Sequence, residues 1–388
     1  MGSQLWGEEQ PKTEGAVGIA PELLGEALDS VVIKIDRVAS IAGIASRARE
    51  RLVSSGAIRR ATYIGDKCFL SIDSSYTSPP LELVGGYLGL IFVVSVLYGK
   101  ECRSALSEFE VVAHATYDPT RDLTRVEARR LEREKAIEAL RRKSRGEVYF
   151  DIIILDGEVL PRLSPRLLAG AGVESEKARE LVRLTDTMVL LAEKTKTPVV
   201  GVLKRSYSKD ALAVLGYFLD VDLSDRAFMT YVLEPGEFAV IGDYRSIASA
   251  YQSLVDDYGD AYPREVSPAR YRLAWLKQML RYSNIADRMK MAFYRPHSGI
   301  STTAVKIEYD SVDLSDEELV SSVTSVSEAT GFPAPVDYAD TLSQIPSDVR
   351  FTLYQLVLQK ISEANPDVAQ KLFTLVNPQK LASIGLRT

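Results

Sequence analysis

The chain has 388 residues, of which 46% are hydrophobic and 26% charged, and its formal net charge is −6. This composition is ordinary for a globular protein of one large or two moderate domains, and it excludes a chain that is basic overall. The longest apolar run, residues 84–98, contains three glycines and is shorter than the roughly 20 residues of a membrane helix, which favours a buried strand.

Targeting and cysteine signals are weak. No charged segment followed by an apolar stretch opens the sequence, so a cytoplasmic location is expected. The two cysteines, Cys68 and Cys102, lack the CxxC spacing of thiolate zinc sites. We therefore expect neither a zinc site nor a disulfide framework.

The charges are distributed unevenly. Residues 121–145 contain ten Lys/Arg against five Asp/Glu, whereas residues 301–388 contain six against twelve. Fields from charges beyond about 8 to 10 Å are largely screened at physiological salt, so a local basic segment can bind phosphates within an acidic protein.

The first third of the chain predicts helices followed by strands. Residues 1–20 are polar and aperiodic and indicate a disordered end, whereas residues 21–56 show apolar positions at helical spacing. Strand-like runs then recur at residues 68–73, 84–98 and 107–118. Their hairpin spacing predicts three consecutive antiparallel strands.

A change of pattern at Leu123 predicts the middle of the fold. Residues 123–145 are rich in helix formers, and Thr124 with Glu127 predicts an N-terminal capping box. Residues 147–157 form an apolar run typical of a strand buried on both faces. A helix at residues 175–195 and a strand at 197–206 complete a mixed sheet with helices on its faces.

The remainder predicts further helices and one strand pair. Helices are expected at residues 246–258 and 270–281, and two strands within residues 289–310. An acidic, helical C-terminal region with proline breaks follows. We place a boundary near residue 311, between a domain at 21–310 and a C-terminal region at 311–388 that packs on it.

Two acids end predicted strands. Asp73 and Asp156 each close an apolar run and are followed at once by a turn. Ligand sites gather at strand ends in sheets with parallel strands, so both carboxylates could share one site. Asp before Ser or Gly is also a common turn-capping residue, and this alternative stays open.

The basic helix offers a third carboxylate. Glu132 shares a helical face with a strip of alanines suited to close packing, whereas Glu134 and Glu127 fall on a polar face. A buried acid needs a positive partner, which could be a divalent metal or an ion pair with Arg125 or Arg129. Glu132 is the preferred ligand.

These acids favour a hard cation. Carboxylates without cysteine suit Mn²⁺ or Mg²⁺, and two-metal sites of this kind hydrolyse phosphodiesters. Lys204 and Arg205 follow a predicted strand and could contact a phosphate in the same cleft, or form a solvated charge pair.

Histidine is scarce in this chain. His114 lies in an alternating strand and is expected to be structural, whereas His297 lies in a polar loop beside Tyr294, where it could bind metal or transfer a proton. The sequence contains no GxxxxGK[ST], HExxH or GxSxG motif, which excludes ATP hydrolysis by a P-loop.

The sequence resembles the NurA family of prokaryotic DNA-repair nucleases. The resemblance covers roughly residues 53–309 and rests on SIDSS, RRLEREKAIEA, IIILDGEVLPRLSP, GVLKRSYS, AFYRPHSG and VKIEYD, with GFPAPVDYAD at 331–340 as a further segment. The match departs from many members at SIDSS, where they have DGS.

The resemblance implies an α/β fold with an RNase H-like mixed β-sheet flanked by helices, and helical N-terminal and C-terminal additions. It implies Mn²⁺-dependent 5′ to 3′ exonuclease and single-strand endonuclease activity, a homodimer, and a HerA-type hexameric ATPase partner in DNA end resection. Asp73, Glu132, Asp156 and His297 would be metal or catalytic residues. Lys204, Arg205 and Tyr294 would contact DNA.

Two other functions remain open at this point. A non-catalytic DNA-binding or adaptor protein could keep the same fold. A phosphotransferase is disfavoured, because no glycine-rich phosphate loop follows the first strand.

Overall fold

The computed structural model describes residues 41–63, 65–78, 80–83, 86–104, 109–118, 123–297, 303–327 and 330–367. The predicted disordered end at 1–20 and the first part of the predicted helices, residues 21–40, lie outside these ranges. The helix that includes residues 41–54 (α1) agrees with the second part of that prediction. In the part of the chain that is described, no helix is both long and apolar enough to span a bilayer.

Ten strands of the described residues form one mixed sheet, and two short strands form a separate pair. The strands are β1 (Ile58–Arg60), β2 (Phe69–Tyr76), β3 (Leu81–Leu83), β4 (Gly86–Tyr98), β5 (Arg103–Ser104), β6 (Phe109–Asp118), β7 (Val148–Tyr149), β8 (Ile152–Asp156), β9 (Val199–Leu203), β10 (Glu237–Asp243), β11 (Lys290–Tyr294) and β12 (Val305–Asp310).

The centre of this sheet has the order of an RNase H-like core. Strands β6, β4 and β2 pair antiparallel in succession, and β2 then pairs parallel with β8, which pairs parallel with β9. This confirms the predicted fold class and the three antiparallel strands. An antiparallel extension of β12, β11, β10 and β1 continues beyond β9. Of these four, sequence patterning predicted β11 and β12 only.

The remaining helices lie against the sheet or beyond its ends. They are α2 (Leu123–Ser144), α3 (Pro165–Ala169), α4 (Val173–Lys194), α5 (Asp210–Leu215), α6 (Asp225–Val232), α7 (Tyr244–Tyr258), α8 (Ser267–Tyr282), α9 (Asp316–Ser325), α10 (Ala334–Ser343) and α11 (Ser347–Ala364).

Alternation along the central strands divides the apolar side chains between two faces. Leu70 and Ile72 of β2 join the core that contains α2 and α4. Phe69, the preceding residue in the strand, joins the opposite core with residues of α9 and α10. Because successive side chains of a strand point to opposite faces, β2 contributes to both layers. Residues on either side of position 311 share this second core.

Helix α2 begins one residue earlier than its predicted cap. Thr124 therefore lies in the first turn of the helix. Thr124 is buried against β4, where a Cβ built on Gly89 would come within 2.6 Å of its side chain. Glu127 is also buried and pairs with Arg130, so the prediction of a solvated face at this position was wrong.

Cys68 and Cys102 form a disulfide, which corrects the expectation that cysteine chemistry plays no part. The two residues are 34 apart in sequence, but their Cα atoms are 4.9 Å apart. The antiparallel register explains this proximity, because Phe69 at the start of β2 pairs with Tyr98 at the end of β4. The bond therefore joins chain segments that enter and leave the same hairpin.

The disulfide gives the first testable prediction. Denatured but unreduced protein should not react with iodoacetamide at either cysteine, since the sequence contains only these two. Reduction should lower the free energy of unfolding by about 3 kcal/mol, because it releases a long loop in the unfolded chain. A double Cys68→Ser, Cys102→Ser variant should have the melting temperature of the reduced protein and show no response to reductant. Labelling of both thiols without reductant would contradict the bond.

Candidate metal centre

Asp73 projects from β2 toward α10. Its carboxylate accepts a hydrogen bond of 2.8 Å from the Ser343 hydroxyl, and the side chain is only 6% exposed. The next residue, Ser74, donates to Glu132 of α2, and Ser75 donates to the Ser343 carbonyl. This alternation places Asp73 on the α10 face of the sheet and Glu132 on the other.

Asp156 is the last residue of β8, directly beside Asp73. The parallel register pairs Ile72 with Leu155, so the two acids occupy the next positions of neighbouring strands. Gly157 then turns the chain with a φ of +112°, and a Cβ there would come within 2.8 Å of the Arg129 guanidinium. A glycine is therefore required where the backbone leaves the strand beside Arg129.

Asp340 completes a group of three carboxylates. One oxygen from each of Asp73, Asp156 and Asp340 lies within 4.8 Å of the other two. Asp340 comes from α10, which packs over β2, β4 and β8. Sequence analysis did not name this residue, although its segment, GFPAPVDYAD, was part of the resemblance. A sequence signal for Asp340 was available, because Asp337 and Asp340 are one helical turn apart and therefore share a helix face.

Lys204 provides the positive charge nearest to these acids. Its ammonium lies 3.0 Å from Asp156 Oδ2 and 2.7 Å from Asp340 Oδ2. Burial alone would lower the pKa of Lys204, but the two carboxylates outweigh burial and raise it. The side chain therefore stays protonated and neutralises part of the acidic group.

Asp73 and Asp156 repel one another in a part of the cleft that is largely shielded from solvent, whereas Asp340 is more exposed. Burial raises the pKa of Asp73 to about 7, and the negative charges of Asp156 and Glu132 reinforce the shift. Burial also raises the pKa of Asp156, despite the opposing effect of Lys204. Concentrated negative charge of this kind has a high affinity for a divalent cation.

The cleft between these side chains has a volume of about 330 Å³. Its walls also include Arg129, Glu158 and the exposed Arg205. We call it the acidic cleft. Three predicted site residues, Asp73, Asp156 and Lys204, therefore meet here, and Arg205 lies at its wall.

Glu132 lies behind the acidic cleft in an ion-pair network. Its carboxylate is 3.0 Å from Arg129 and 2.8 Å from Arg133, and it is fully buried. The alternative of an ion pair with Arg129 is thus present in the structure. Glu134 is exposed and pairs with Arg130, which agrees with the predicted difference between the two glutamates.

Two predicted site residues lie elsewhere. His297 is exposed, and its ring lies against Gly236 at the start of β10. Strand β10 is four inter-strand spacings, about 19 Å, from β8. Tyr294 is fully buried and its hydroxyl is 3.0 Å from that of Ser327, so it presents no surface to DNA. The strand pattern indicated their position along the chain but not this separation across the sheet.

Comparisons with known proteins identify a family. Residues 68–345 match the NurA domain family. The NurA nuclease from Sulfolobus solfataricus has a crystal structure with a TM-score of 0.52 and 13% identity, covering 87% of this chain and 98% of that one. A structure of NurA bound to dAMP and manganese has a TM-score of 0.46 and 10% identity, covering 84% and 94%. No curated protein has a significant sequence match.

The electrostatics predict opposite effects of two neutral substitutions on stability. Protonation of Asp73 stabilises the folded protein below about pH 4, and this contribution is lost as the pH rises through about 7. In EDTA at pH 8, Asp73→Asn should therefore raise the free energy of unfolding, by on the order of 2 kcal/mol. The gain should disappear at pH 4.

Glu132→Gln should instead lower the free energy of unfolding by about 3 to 5 kcal/mol at pH 8, because Arg129 and Arg133 lose a buried counter-charge. Glu134→Gln is the matched control and should change it by less than about 0.5 kcal/mol. Chemical denaturation of the metal-free protein measures all three. Equal destabilisation by Asp73→Asn and Glu132→Gln would contradict the assignment of Asp73 as a buried acid that has no ion pair among the described residues.

Proposed function

This chain belongs to the NurA family, and on that basis we propose that it is a metal-dependent deoxyribonuclease. The single observation that carries the proposal is the convergence of Asp73, Asp156 and Asp340 within 4.8 Å. The chain also has the fold of the Sulfolobus solfataricus NurA nuclease. Asp156 ends β8, and Asp73 lies just beyond the last parallel pair of β2 with β8, at the edge where sheets of this kind bind their ligands.

The donor set fits Mn²⁺ or Mg²⁺. All three candidate ligands offer carboxylate oxygens, which hard divalent cations prefer, and no cysteine or histidine is among them. Asp73, Asp156 and Asp340 would hold the cation. When bound, it would supply Lewis-acid polarisation of a phosphodiester oxygen, either alone or in a two-metal arrangement.

Other side chains would prepare the cleft for a phosphate. Lys204 and Arg205 line it and bring positive charge to the position that a DNA phosphate would occupy. Ser343 fixes the orientation of Asp73 through its hydrogen bond. Arg129 donates to the Asp156 carbonyl at 2.8 Å and pairs with Glu132, so Glu132 would act as a positioning residue for the strand ends.

The finer features of the proposal rest on the family resemblance. We propose 5′ to 3′ exonuclease and single-strand endonuclease activity in DNA end resection, a homodimer, a HerA-type hexameric ATPase partner and a cytoplasmic location. A partner ATPase is consistent with the sequence, which contains no P-loop motif. A DNA-binding protein without activity is the alternative, and the Lys204 ion pairs, which already neutralise part of the acidic group, favour it.

Substitution of Asp340 tests the proposed ligand set. Asp340→Asn should reduce Mn²⁺-dependent cleavage of a 5′-labelled single strand by more than about 100-fold, because it removes a candidate ligand. Asp337→Asn is the matched control on the same helix. It lies 3.5 Å from Lys204 but outside the group of three acids, and it should retain activity within about threefold.

His297→Ala extends the same test to the residue that the resemblance favoured. We expect activity within about threefold of the unsubstituted protein, because His297 lies against Gly236 rather than beside the acids. Loss of activity in His297→Ala with full activity in Asp340→Asn would reverse the assignment. No cleavage by the unsubstituted protein in Mn²⁺ would favour the non-catalytic alternative.

A further inference from the structure

A second and larger cavity adjoins the acidic cleft. Its volume is about 800 Å³, within the range of roughly 300 to 1,000 Å³ typical of ligand pockets. The residues that matter here are Arg162, Tyr207, Lys209, Arg264, Tyr271 and Trp275, and we call the space they line the tyrosine cavity. Arg162 lines both spaces, so one guanidinium lies at their common wall.

A single chain segment also connects the two spaces. Residues 204–209, KRSYSK, begin in the acidic cleft with Lys204 and Arg205 and end in the tyrosine cavity with Tyr207 and Lys209. Three of these six residues are cations. A phosphodiester chain that follows this segment would meet positive charge at both ends.

A buried network of hydrogen bonds and ion pairs holds this segment in place. Ser208 accepts a hydrogen bond of 2.7 Å from Lys306, and Lys306 also binds Asp210 at 2.7 Å. Arg272 binds Asp210 through two nitrogens, at 2.8 and 2.9 Å, and stacks 4.3 Å from the Trp275 ring. The floor of the cavity is therefore held in place, which reduces the entropy cost of binding.

The walls combine exposed aromatic rings with a net positive charge, because four cations (Arg162, Lys209, Arg264 and Arg272) face two acids (Asp222 and Glu265). Tyr207 is 87% exposed and Tyr271 is 61% exposed, so most of each side chain is open to solvent. Exposed aromatic rings beside cations are the usual stacking platforms for unpaired bases. A purely anionic ligand would use the cations alone, whereas a nucleic acid strand uses both.

Two polar groups in the walls are still available to a ligand. Trp275 is 3% exposed, and its indole N–H has no hydrogen-bond partner among the described residues. Arg264 lines the same cavity and is exposed to solvent. A buried donor without an acceptor is costly, so an acceptor atom on a bound ligand would relieve that cost.

We propose that the tyrosine cavity binds unpaired bases of the single-stranded DNA whose phosphate lies in the acidic cleft. Tyr207 and Tyr271 stack on the bases, Arg264 contacts a phosphate, and Arg162 lies beside the backbone where it passes between the two spaces. This inference rests on the proposed nuclease function. It adds a substrate-binding subsite that selects for unpaired rather than duplex DNA, because stacking requires exposed base faces.

The experiment measures binding without cleavage. Fluorescence anisotropy of a fluorescein-labelled 15-nucleotide single strand is recorded in EDTA with the full chain. Tyr207→Ala and Tyr271→Ala should each weaken binding by about 5- to 100-fold. Tyr207→Phe should bind the strand as tightly as the unsubstituted protein, because the aromatic ring remains. Tyr231→Ala is the matched control, since Tyr231 is 50% exposed and lies outside the cavity wall, and it should bind as the unsubstituted protein does.

Two further measurements locate the strand. Arg264→Gln should reduce the slope of log affinity against log salt concentration by about one, whereas Arg183→Gln, at an exposed arginine on α4, should not change it. A Trp6→Phe variant leaves Trp275 as the only tryptophan, so its fluorescence should change on addition of the strand.

The outcomes separate this inference from the nuclease proposal. Tyrosine-dependent binding in EDTA supports the cavity even if the protein does not cleave DNA in Mn²⁺. Unchanged binding by the two tyrosine variants, or an unchanged Trp275 signal at saturating strand, overturns it even if the protein is an active nuclease. Equal binding of a blunt duplex and a single strand would also overturn it.

Discussion

The parallel pairing of β2 with β8 is the constraint on which the site depends. It places Asp73 and Asp156 side by side at adjacent strand positions, in a cleft that water reaches poorly. Two carboxylates in that arrangement cannot both ionise freely, and burial with mutual repulsion raises the pKa of Asp73 to about 7. Charged side chains around the two acids offset this repulsion.

The negative charge of the acidic side chains is neutralised differently on the two faces of the sheet. On the α10 face, Lys204 contacts Asp156 and Asp340, and a divalent cation would replace much of that interaction. On the α2 face, Glu132 is already paired with Arg129 and Arg133 and bonded by Ser74. One acidic group therefore has negative charge available for a metal, whereas the other has its charge satisfied by the protein. This division separates candidate ligands from a residue that positions them.

The neighbouring cavity continues this distribution of charge toward the proposed DNA substrate. Segment 204–209 leaves the acidic cleft with cations and enters the cavity with an exposed tyrosine. The acidic group would repel a DNA backbone unless a cation is bound, and the basic residues beside it would attract that backbone. A bound cation is thus expected to strengthen DNA binding, because it removes the repulsion between the acids and the phosphates, and DNA is expected by linkage to strengthen metal binding.

Local sequence was sufficient for the central elements of the fold. Apolar runs located β2 and the buried β8, helix-forming residues located α2, and acids that close apolar runs predicted Asp73 and Asp156 as site residues, because each signal depends only on neighbouring residues. Strand β2 continues to Tyr76, so Asp73 lies within the strand and not at its end. Asp340 lies 184 residues beyond Asp156, on a helix whose position depends on packing across the sheet. The Cys68–Cys102 bond likewise depends on the register of two strands. The polar loop and the family resemblance placed His297 among the predicted site residues, but in the structure its ring lies against Gly236 beside β10. The sequence by itself determined the central strands and helices, whereas tertiary packing decided which distant side chains meet, since those contacts form only when helices and strands are assembled.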